Sequence, residues 1–360
     1  ACCIWGIIIV YGATANGKFG SPMSYVKTQA AAFVMGMVAY VIVALIDYEH
    51  YRKLVKYIYI AGAGLLVLVL LIGTGDQIGS KSWIRIAGFG FQPAEVVKIG
   101  FIITFAAHLS KVKDQVNSPK NAFLLLLHAG VLIGLIMCQP DAGTALCFIV
   151  IFAFMIFSAG LSYKYIIAAG GLCVVSAPFL WLFVLKDYQK GRILTFLNPD
   201  RDPLNTGYHA IQSRIAVGSG EITGKGLLDG TQVQEGILPT PHTDFVFSTA
   251  AEAFGFIGSI LILVLLVFII WRCILTAMRA RDDFGSFICI GVAAMFSYHV
   301  FENIGMCIGL LPITGVPLLF FSAGGSSMLT SLIAIALVVA VRRKPQMLNE
   351  VSRSRDAASS

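Results

Sequence analysis

The sequence has very little charge for its length. Only 12% of its 360 residues are Asp, Glu, Lys or Arg, whereas 57% are hydrophobic, and the mean hydropathy is +0.82. A soluble globular domain carries roughly twice that share of charged residues. The composition therefore excludes an ordinary soluble protein.

The strict alternation of apolar and polar residues that marks the strands of a membrane barrel is also missing. The apolar residues form unbroken blocks, such as Leu65–Ile72, Phe123–Ile136 and Ile257–Trp271. Backbone groups find no water inside a bilayer, so a spanning segment is either a helix or part of a closed barrel. About 20 apolar residues in a helix cross the hydrocarbon core. The sequence therefore predicts an all-α polytopic membrane protein.

The sequence lacks a recognisable metal or nucleotide motif. Its eight cysteines lie mostly in apolar blocks without CxxC or Cys–His spacing, which favours buried structural side chains over metal ligands. The segment Ser219–Gly226 resembles a P-loop but has the wrong residue at both ends, so we reject a nucleotide site there. The DxD triplet Asp200–Asp202 lies between two prolines, a setting more typical of an exposed turn than of a metal site.

Ten apolar blocks are interpreted as transmembrane helices. They are residues 1–15, 27–47, 57–73, 93–110, 121–138, 142–160, 164–185, 245–271, 284–305 and 326–341. No basic region precedes the first block, so we interpret it as a span and not as a cleaved signal peptide. Since it begins at Ala1 and not at a methionine, we expect the native N-terminus to lie upstream.

The basic residues are distributed unequally between the two sets of loops. Fifteen Lys and Arg residues lie on one side, including the tail 342–360, and five lie in short loops on the other. Because cytoplasmic loops are enriched in Lys and Arg, the first side is predicted to be cytoplasmic, with both termini inside. The net charge of +7 reflects this topology and gives no indication of nucleic-acid binding.

The connection between the seventh and eighth spans, residues 186–244, is predicted to be one large extracellular loop. About 60 residues without a span is far above the usual connection length, which indicates either a functional loop or disorder. Hydrophobic residues at near-helical spacing between positions 193 and 217 favour order. Because the other Gly- and Pro-rich connections fall on the same face, we expect the functional site there.

Two Gln-Pro-acid motifs are predicted to begin helices. In the first, Pro93 suits the first helical turn, and Glu95 and Lys98 share one helix face. Each charge would cost roughly 2.5–3.5 kcal/mol at mid-bilayer, so the two face each other or a cavity. An interfacial salt bridge and a role in substrate binding are equally supported. In the second motif, we interpret Asp141 as a helix cap.

The segment Pro239–Glu252 carries two carboxylates into the eighth span. If the helix begins near Thr243, then Asp244, Ser248 and Glu252 follow one another along a polar stripe. Asp244 would lie at the outer mouth, where it also suits a helix cap. Glu252 lies too deep in the helix to be a cap, so we favour a functional role for the stripe.

The outer loop of residues 309–327 is rich in Gly, Pro and Ser. Gly324 and Gly325 before Ser326 predict a backbone that turns into a helix N-terminus, a geometry that suits anion binding. A re-entrant loop packed between helices is at least as well supported. Glu302 and Asn303 border the same region.

Together these motifs resemble those of the SEDS family (shape, elongation, division and sporulation proteins) over essentially the whole chain. GTQ before the HTDF block resembles the RodA branch more than the FtsW branch, whereas Glu221 and Ala323 depart from the family pattern. The matching stretches are RILTFLNPDRDP (192–203), GYHAIQSRIAVGSG (207–220), GKGLLDGTQ (224–232), LPTPHTDFVFSTAAE (238–252), NIGMCIGLLPITGVPLLFFSAGGSS (303–327), QPAEVVK (92–98) and QPDAGT (139–144).

The resemblance implies ten transmembrane helices and a peptidoglycan glycosyltransferase activity on lipid II, the undecaprenyl-diphosphate-linked disaccharide peptide. The reaction would take place at the outer leaflet of the bacterial cytoplasmic membrane. The family's catalytic aspartate matches Asp244, and a motif implicated in activity matches Glu95 and Lys98. As partners the resemblance implies a class B penicillin-binding protein, which is a transpeptidase, and MreC- and MreD-like proteins of the elongation complex.

An inverting transfer that makes a β-1,4 glycan needs one general base, and we assign this role to Asp244. Charge that develops on the departing diphosphate needs cations or hydrogen-bond donors. No ligand spacing identifies a Mg²⁺ site, although a diphosphate leaving group is compatible with this metal. The residues expected to bind or orient the substrate are Arg85, Gln92, Glu95, Lys98, Arg214, Ser248, Glu252, Asn303 and Ser326.

Two other functions are compatible with a chain of this kind. A lipid II flippase would also contain buried charges, but its polar groups should lie at the midplane and on both faces. A scaffold for the penicillin-binding protein would not need Asp244 and Glu252 on one face. Polymerisation of lipid II without a bilayer would identify the enzyme, and a neutral substitution of these carboxylates would favour the scaffold.

Overall fold

The computed structural model describes residues 1–18, 20–73, 82–86, 89–184, 187–199 and 206–343. These residues form thirteen α-helices and one antiparallel hairpin of strands β1 (Ile84–Ile86) and β2 (Phe89–Phe91). In chain order, helices α1 to α13 are Cys2–Thr14, Pro22–Leu45, Tyr48–Ile72, Pro93–Val112, Pro119–Met137, Ala142–Ser158, Tyr163–Phe179, Asp187–Leu197, Thr206–Ser219, Thr231–Gln234, Val246–Met278, Asp283–Cys307 and Gly325–Arg343.

Each of the ten predicted spans coincides with a helix, which confirms the all-α membrane class. Seven of the described helices are long and apolar enough to cross a membrane, namely α2, α3, α5, α7 together with the helical turn that continues it to Phe183, α11, α12 and α13. The apolar helices α1 and α6 are shorter, with 13 and 17 residues. The count of ten transmembrane helices therefore stays a prediction.

The long connection after α7 is ordered wherever the structure describes it. A π-helical turn, Leu180–Val184, continues α7, and the segment that follows contains α8, α9 and the single-turn helix α10. The expectation of an ordered loop is therefore confirmed for residues 187–199 and 206–244.

The chain divides into two compact units. The first contains Ala1–Ala31, Leu161–Leu266 and Tyr298–Gly324, and the second contains Ala32–Gly160, Val267–Ser297 and Gly325–Ser360. In the first unit, the ring of Trp5 makes edge-on contacts with Phe254 and Phe321. In the second unit, α4 is the buried central helix and contacts α3, α5, α6 and α13.

Candidate functional site

Asp244 lies in a turn immediately before α11, in the first unit. The N–H groups of Thr243 and Phe245 both donate to the carbonyl of Thr240, so α11 begins at Val246, three residues later than predicted. The Asp244 side chain is partly exposed, whereas Phe245 and Val246 beside it are buried. The carboxylate is thus presented from a hydrogen-bonded turn and is not the first member of a helical stripe.

Asn303 holds the turn of Asp244 against the loop that follows α12. Its Nδ2 donates to the carbonyl oxygen of Asp244 and to that of Val316, each at 2.8 Å, and the residue is fully buried. The substrate-binding role assigned to Asn303 stays a prediction. The contacts of its amide nitrogen orient the backbone on which the predicted base is carried.

The loop between α12 and α13 also approaches the Asp244 carboxylate directly. A methyl group added to Gly315, whose φ is +77°, would lie 3.6 Å from Oδ2 of Asp244. The residue before this glycine, Thr314, donates its hydroxyl to Oε1 of Glu302 at 2.7 Å. Glu302 therefore fixes the part of the loop that packs beside the predicted base.

Ser248 and Arg214 lie near the end of α12. The hydroxyls of Ser248 and Ser213 are 2.7 Å apart, and Ser213 donates to the carbonyl of Cys307 at 2.9 Å. The aliphatic part of Arg214 packs on Gly309, where an added methyl would lie 2.7 Å from its Cδ, and the residue is exposed. The first unit thus brings Asp244, Ser248, Arg214 and Asn303 to the same end of α12.

Glu252 caps a helix that begins 21 residues before it in the chain. Its carboxylate accepts hydrogen bonds from the N–H groups of Gln232 at 2.9 Å and Val233 at 3.1 Å, in the first turn of α10. The hydroxyl of Ser219 donates to it at 3.3 Å, and Nζ of Lys225 lies 3.7 Å away. The argument that Glu252 has no capping role is therefore wrong, and its role in substrate binding stays a prediction.

The helix α11 is broken at Gly255, whose φ is +63°. A break of this kind leaves backbone groups without their helical partners, and buried groups must find others. The segment 220–226 supplies them. The N–H groups of Lys225 and Gly226 donate to the carbonyls of Glu252 and Ala253, and the N–H group of Phe256 donates to the carbonyl of Glu221.

The close approach of this segment to α11 explains its glycines. A methyl group on Gly220 would lie 1.9 Å from the carbonyl oxygen of Ala251, and one on Gly224 would lie 2.3 Å from that of Ala253. The segment that resembles a P-loop is therefore packed on α11, where its backbone groups bond to those of the broken helix.

Glu95 and Lys98 form a buried ion pair in the second unit. Lys98 Nζ lies 2.7 Å from Oε1 of Glu95, and the two side chains are 2% and 4% exposed. The prediction that they share one face of a helix beginning at Pro93 is confirmed. Because both side chains are almost fully buried, each charge is neutralised by the other among the apolar residues of the second unit.

The two Gln-Pro-acid motifs are joined through their side chains. Gln92 Nε2 donates to Oδ2 of Asp141 at 3.0 Å, and the Gln92 N–H group donates to the hydroxyl of Ser326 at 3.1 Å. Asp141 accepts from the N–H group of Thr144, so its role as the cap of α6 is confirmed. Ser326 lies in the first turn of α13, where a helix start was predicted.

Several predicted features lie outside the residues that the structure describes. They are the side chain of Arg85, most of the connection 73–90, the DxD triplet at positions 200–202 and the tail from residue 344 onward. Arg85 itself is placed only by its backbone, which pairs with Gly90 in the hairpin.

Sequence analysis did not single out His242, two residues before Asp244. Burial lowers the pKa of His242 to about 4, so the imidazole is neutral at neutral pH. Its ring packs against that of Tyr25, with centroids 4.7 Å apart.

Within the described ranges, no group of three or more His, Cys, Asp or Glu residues is arranged to hold a metal ion.

Comparisons with known proteins find relatives that match nearly the whole chain. The family model for FtsW, RodA and SpoVE, described as cell cycle protein, matches residues 1–347. The chain is 35% identical to a probable peptidoglycan glycosyltransferase FtsW of Geobacter metallireducens, over 94% of this chain and 90% of that protein. It is 34% identical to the peptidoglycan glycosyltransferase MrdB of Escherichia coli K12, over 96% and 92%.

One solved structure is similar over nearly its whole length. That structure concerns the coordination of polymerization and crosslinking by a peptidoglycan synthase complex. The two chains superpose with a TM-score of 0.79 at 26% identity, over 96% of this chain and 98% of the other.

Proposed function

The chain belongs to the family of FtsW, RodA and SpoVE proteins, and from this membership we propose that it is a peptidoglycan glycosyltransferase that polymerises lipid II. The observation that supports the chemistry best is Asp244, a partly exposed carboxylate held in a turn by buried partners. No soluble nucleotide-sugar domain is needed, because lipid II carries its own diphosphate leaving group.

Asp244 would act as the general base of an inverting transfer. Its carboxylate takes the proton from the acceptor 4-hydroxyl while that oxygen bonds to the anomeric carbon of the donor. The bond from this carbon to the diphosphate breaks, and the electron pair leaves with the diphosphate. The exposed guanidinium of Arg214 would stabilise the charge that develops there. Substrate binding by Glu95, Lys98 and the other predicted residues is part of the same proposal.

The proposal places the reaction at the outer face of the bacterial cytoplasmic membrane. It rests on the excess of Lys and Arg in the alternate loops, which predicts cytoplasmic termini and an outer position for residues 186–244. The family name does not separate the RodA and FtsW branches, so the assignment to cell elongation rests on the motif GTQ at 230–232.

The natural partner would be an enzyme that cross-links the glycan as it is made. The similar solved structure concerns a complex that coordinates polymerization and crosslinking. We therefore propose a class B penicillin-binding protein as the partner of this chain, and MreC- and MreD-like proteins as further members of an elongation complex. A Mg²⁺ ion, if the reaction uses one, would supply positive charge to the departing diphosphate, and Mg²⁺ in such sites is commonly held by one or two carboxylates together with the substrate phosphates.

The test is glycan synthesis by the purified full-length protein in detergent micelles with lipid II. We expect Asp244→Asn to lower polymerisation at least about 100-fold, since it removes the general base while retaining size and polarity. Glu235→Gln, an exposed carboxamide substitution in the long connection, is the matched control and should polymerise like the wild type. Full activity of Asp244→Asn would remove Asp244 from the base role.

The same assay separates the competing functions. A flippase makes no glycan in micelles, because it only moves lipid II between leaflets. A scaffold would be inactive with or without the substitution and would retain binding to the transpeptidase. Glycan made by the wild type and not by Asp244→Asn supports the enzyme alone.

A further inference from the structure

Three consecutive carbonyl groups at Asp244 are each held by a donor from a different residue. The N–H group of Ala323 donates to the carbonyl of His242 at 2.7 Å, and the hydroxyl of Ser322 donates to that of Thr243 at 2.7 Å. The third donor is Asn303 Nδ2 on the carbonyl of Asp244. All these residues belong to the first unit.

The Ser322 hydroxyl is both an acceptor and a donor of a hydrogen bond. Its hydroxyl oxygen accepts from the N–H group of Leu318 at 2.8 Å while its proton goes to the carbonyl of Thr243, and the residue is 3% exposed. The single hydroxyl therefore closes the turn 318–322 and ties it to the turn that carries Asp244. A methyl group in its place would leave a buried donor and a buried acceptor without partners.

Gln29 of α2 holds the same loop from the other side. Its Nε2 donates to the carbonyl of Ser322 at 2.9 Å, and its Oε1 accepts from the N–H group of Gly324 at 3.1 Å. The side chain is almost fully buried, at 2%. Tyr25, four residues earlier and on the same helix face, packs on His242. One face of α2 thus contacts both the loop and the turn.

Both segments are held in backbone conformations that non-glycine residues rarely adopt. Thr240, at the start of the turn of Asp244, has φ 39°, and Phe320, within the 318–322 turn, has φ 67°. Strain of this kind persists only where the surrounding structure over-determines the conformation, and it concentrates at functional sites. The hydrogen bonds of Ser322 and Gln29 are among the contacts that hold these two turns.

We propose that Ser322 and Gln29 are positioning residues for Asp244. Their hydrogen bonds go to backbone groups, and they fix the peptide groups from which the carboxylate projects. The proposal rests on the proposed function, since it assumes that Asp244 is the base. A displacement of about 1 Å at a reacting group can cost about 100-fold in rate. Because neither residue is placed in the substrate site, we expect KM to stay close to that of the wild type.

The experiment measures kcat and KM for lipid II with the full-length protein, together with its melting temperature. We expect Ser322→Ala to remain folded, with a lower melting temperature because two buried groups lose their partner. Its kcat should fall by about 10- to 100-fold, with KM within about twofold of the wild type. Ser322→Thr, which keeps the hydroxyl, should recover most of the lost kcat. Gln29→Leu removes both hydrogen bonds at similar volume and should show the same separation of kcat from KM.

Ser331→Ala is the matched control. Ser331 is also fully buried and donates to a carbonyl, that of Ser327 at 2.7 Å, within α13. Its kcat should be that of the wild type. A wild-type kcat for both Ser322→Ala and Gln29→Leu overturns the proposal. A KM raised well beyond twofold and not rescued by Thr overturns it in favour of a purely structural role, as does failure of both variants to fold.

Failure of this proposal is distinguishable from failure of the proposed function. If Asp244→Asn polymerises lipid II like the wild type, the base assignment fails and the positioning role fails with it. If Asp244→Asn is inactive while Ser322→Ala and Gln29→Leu retain the wild-type kcat, Asp244 stays the base and only the positioning role is overturned.

Discussion

At the residue scale, the two carboxylates of the segment Pro239–Glu252 have different surroundings despite their regular spacing. Asp244 is partly exposed in a turn, whereas Glu252 is fully buried on the backbone of α10. A buried carboxylate with two backbone N–H donors and a nearby ammonium group is already satisfied. This difference supports the proposal that Asp244 is the general base, whereas the hydrogen bonds of Glu252 hold the long connection in place.

Single and double substitutions at the ion pair of Glu95 and Lys98 can distinguish a structural role of the pair from a role in substrate binding. Removing one partner leaves an uncompensated buried charge, which costs about 3–5 kcal/mol, whereas replacing both by apolar residues of similar volume is often neutral. We expect Lys98→Met to lower the melting temperature strongly and the double variant Glu95→Leu/Lys98→Met to restore it. Because we assign the pair a role in substrate binding, the double variant should still fail to polymerise lipid II.

The chain offers an exposed ion pair as the control for this experiment. Lys113 pairs with Asp283 with both side chains over 40% exposed, and such pairs contribute at most about 1 kcal/mol. Lys113→Met should therefore leave the melting temperature and the activity nearly unchanged. If the double variant of Glu95 and Lys98 polymerises lipid II normally, the pair is structural only.

At the element scale, the broken helix α11 connects the long segment to the site. Its free carbonyls and N–H groups at the break are satisfied by residues 220–226, and Glu252 just before the break caps α10. The segment and the helix therefore form one hydrogen-bonded assembly. A change in the position of residues 220–236 would act on the helix that begins just after Asp244.

We expect Gly224→Ala to detach this segment from α11. The residue has φ +85°, and its new methyl group would meet backbone atoms of Ala253, which cannot move aside as a flexible side chain can. The melting temperature should fall, and a protease should cleave within residues 220–230 faster than in the wild type. Since the segment is tied to α11, polymerisation should also decrease.

Gly218→Ala is the control for the glycine experiment. Gly218 lies in α9 with nothing within 4 Å of an added methyl group, and alanine is favoured over glycine in a helix by about 0.5–1 kcal/mol. This variant should be as stable as the wild type or more so. Equal protease resistance of Gly224→Ala and Gly218→Ala would argue against the docking of the segment on α11.

At the scale of the whole molecule, the distribution of Lys and Arg predicts which loops face the cytoplasm. We expect a cysteine introduced at Glu235, in the long connection, to react with a membrane-impermeant maleimide on intact cells. A cysteine at Gln115, between α4 and α5, should react only after the membrane is permeabilised. Both positions are exposed in the structure, so access to the reagent depends on sidedness.

The labelling is done in a Cys138→Ser background, because Cys138 is itself exposed at the end of α5. The reverse pattern, with Gln115→Cys labelled from outside, would contradict the orientation and with it the outer position of the proposed active site. The double labelling makes each site the control of the other.

The features that the sequence determined by itself are those that depend on neighbouring residues. The apolar blocks predict the helices, Pro93 predicts the start of α4, and the spacing of three predicts the ion pair of Glu95 and Lys98. Asp141 was recognised as a cap for the same reason, since its partner is Thr144. Helical geometry fixes which residues three or four apart can meet, so these contacts need no knowledge of the fold.

Only the tertiary structure decided the contacts between distant parts of the chain. Glu252 caps α10, Gln29 binds a loop almost 300 residues away, and residues 220–226 complete α11 at the break. The partner of a polar group in a loop depends on which helices pack beside that loop. Periodicity in the sequence does not identify those helices. For this reason the sequence located both acidic residues near the start of α11, whereas the different surroundings of Asp244 and Glu252 were not predictable.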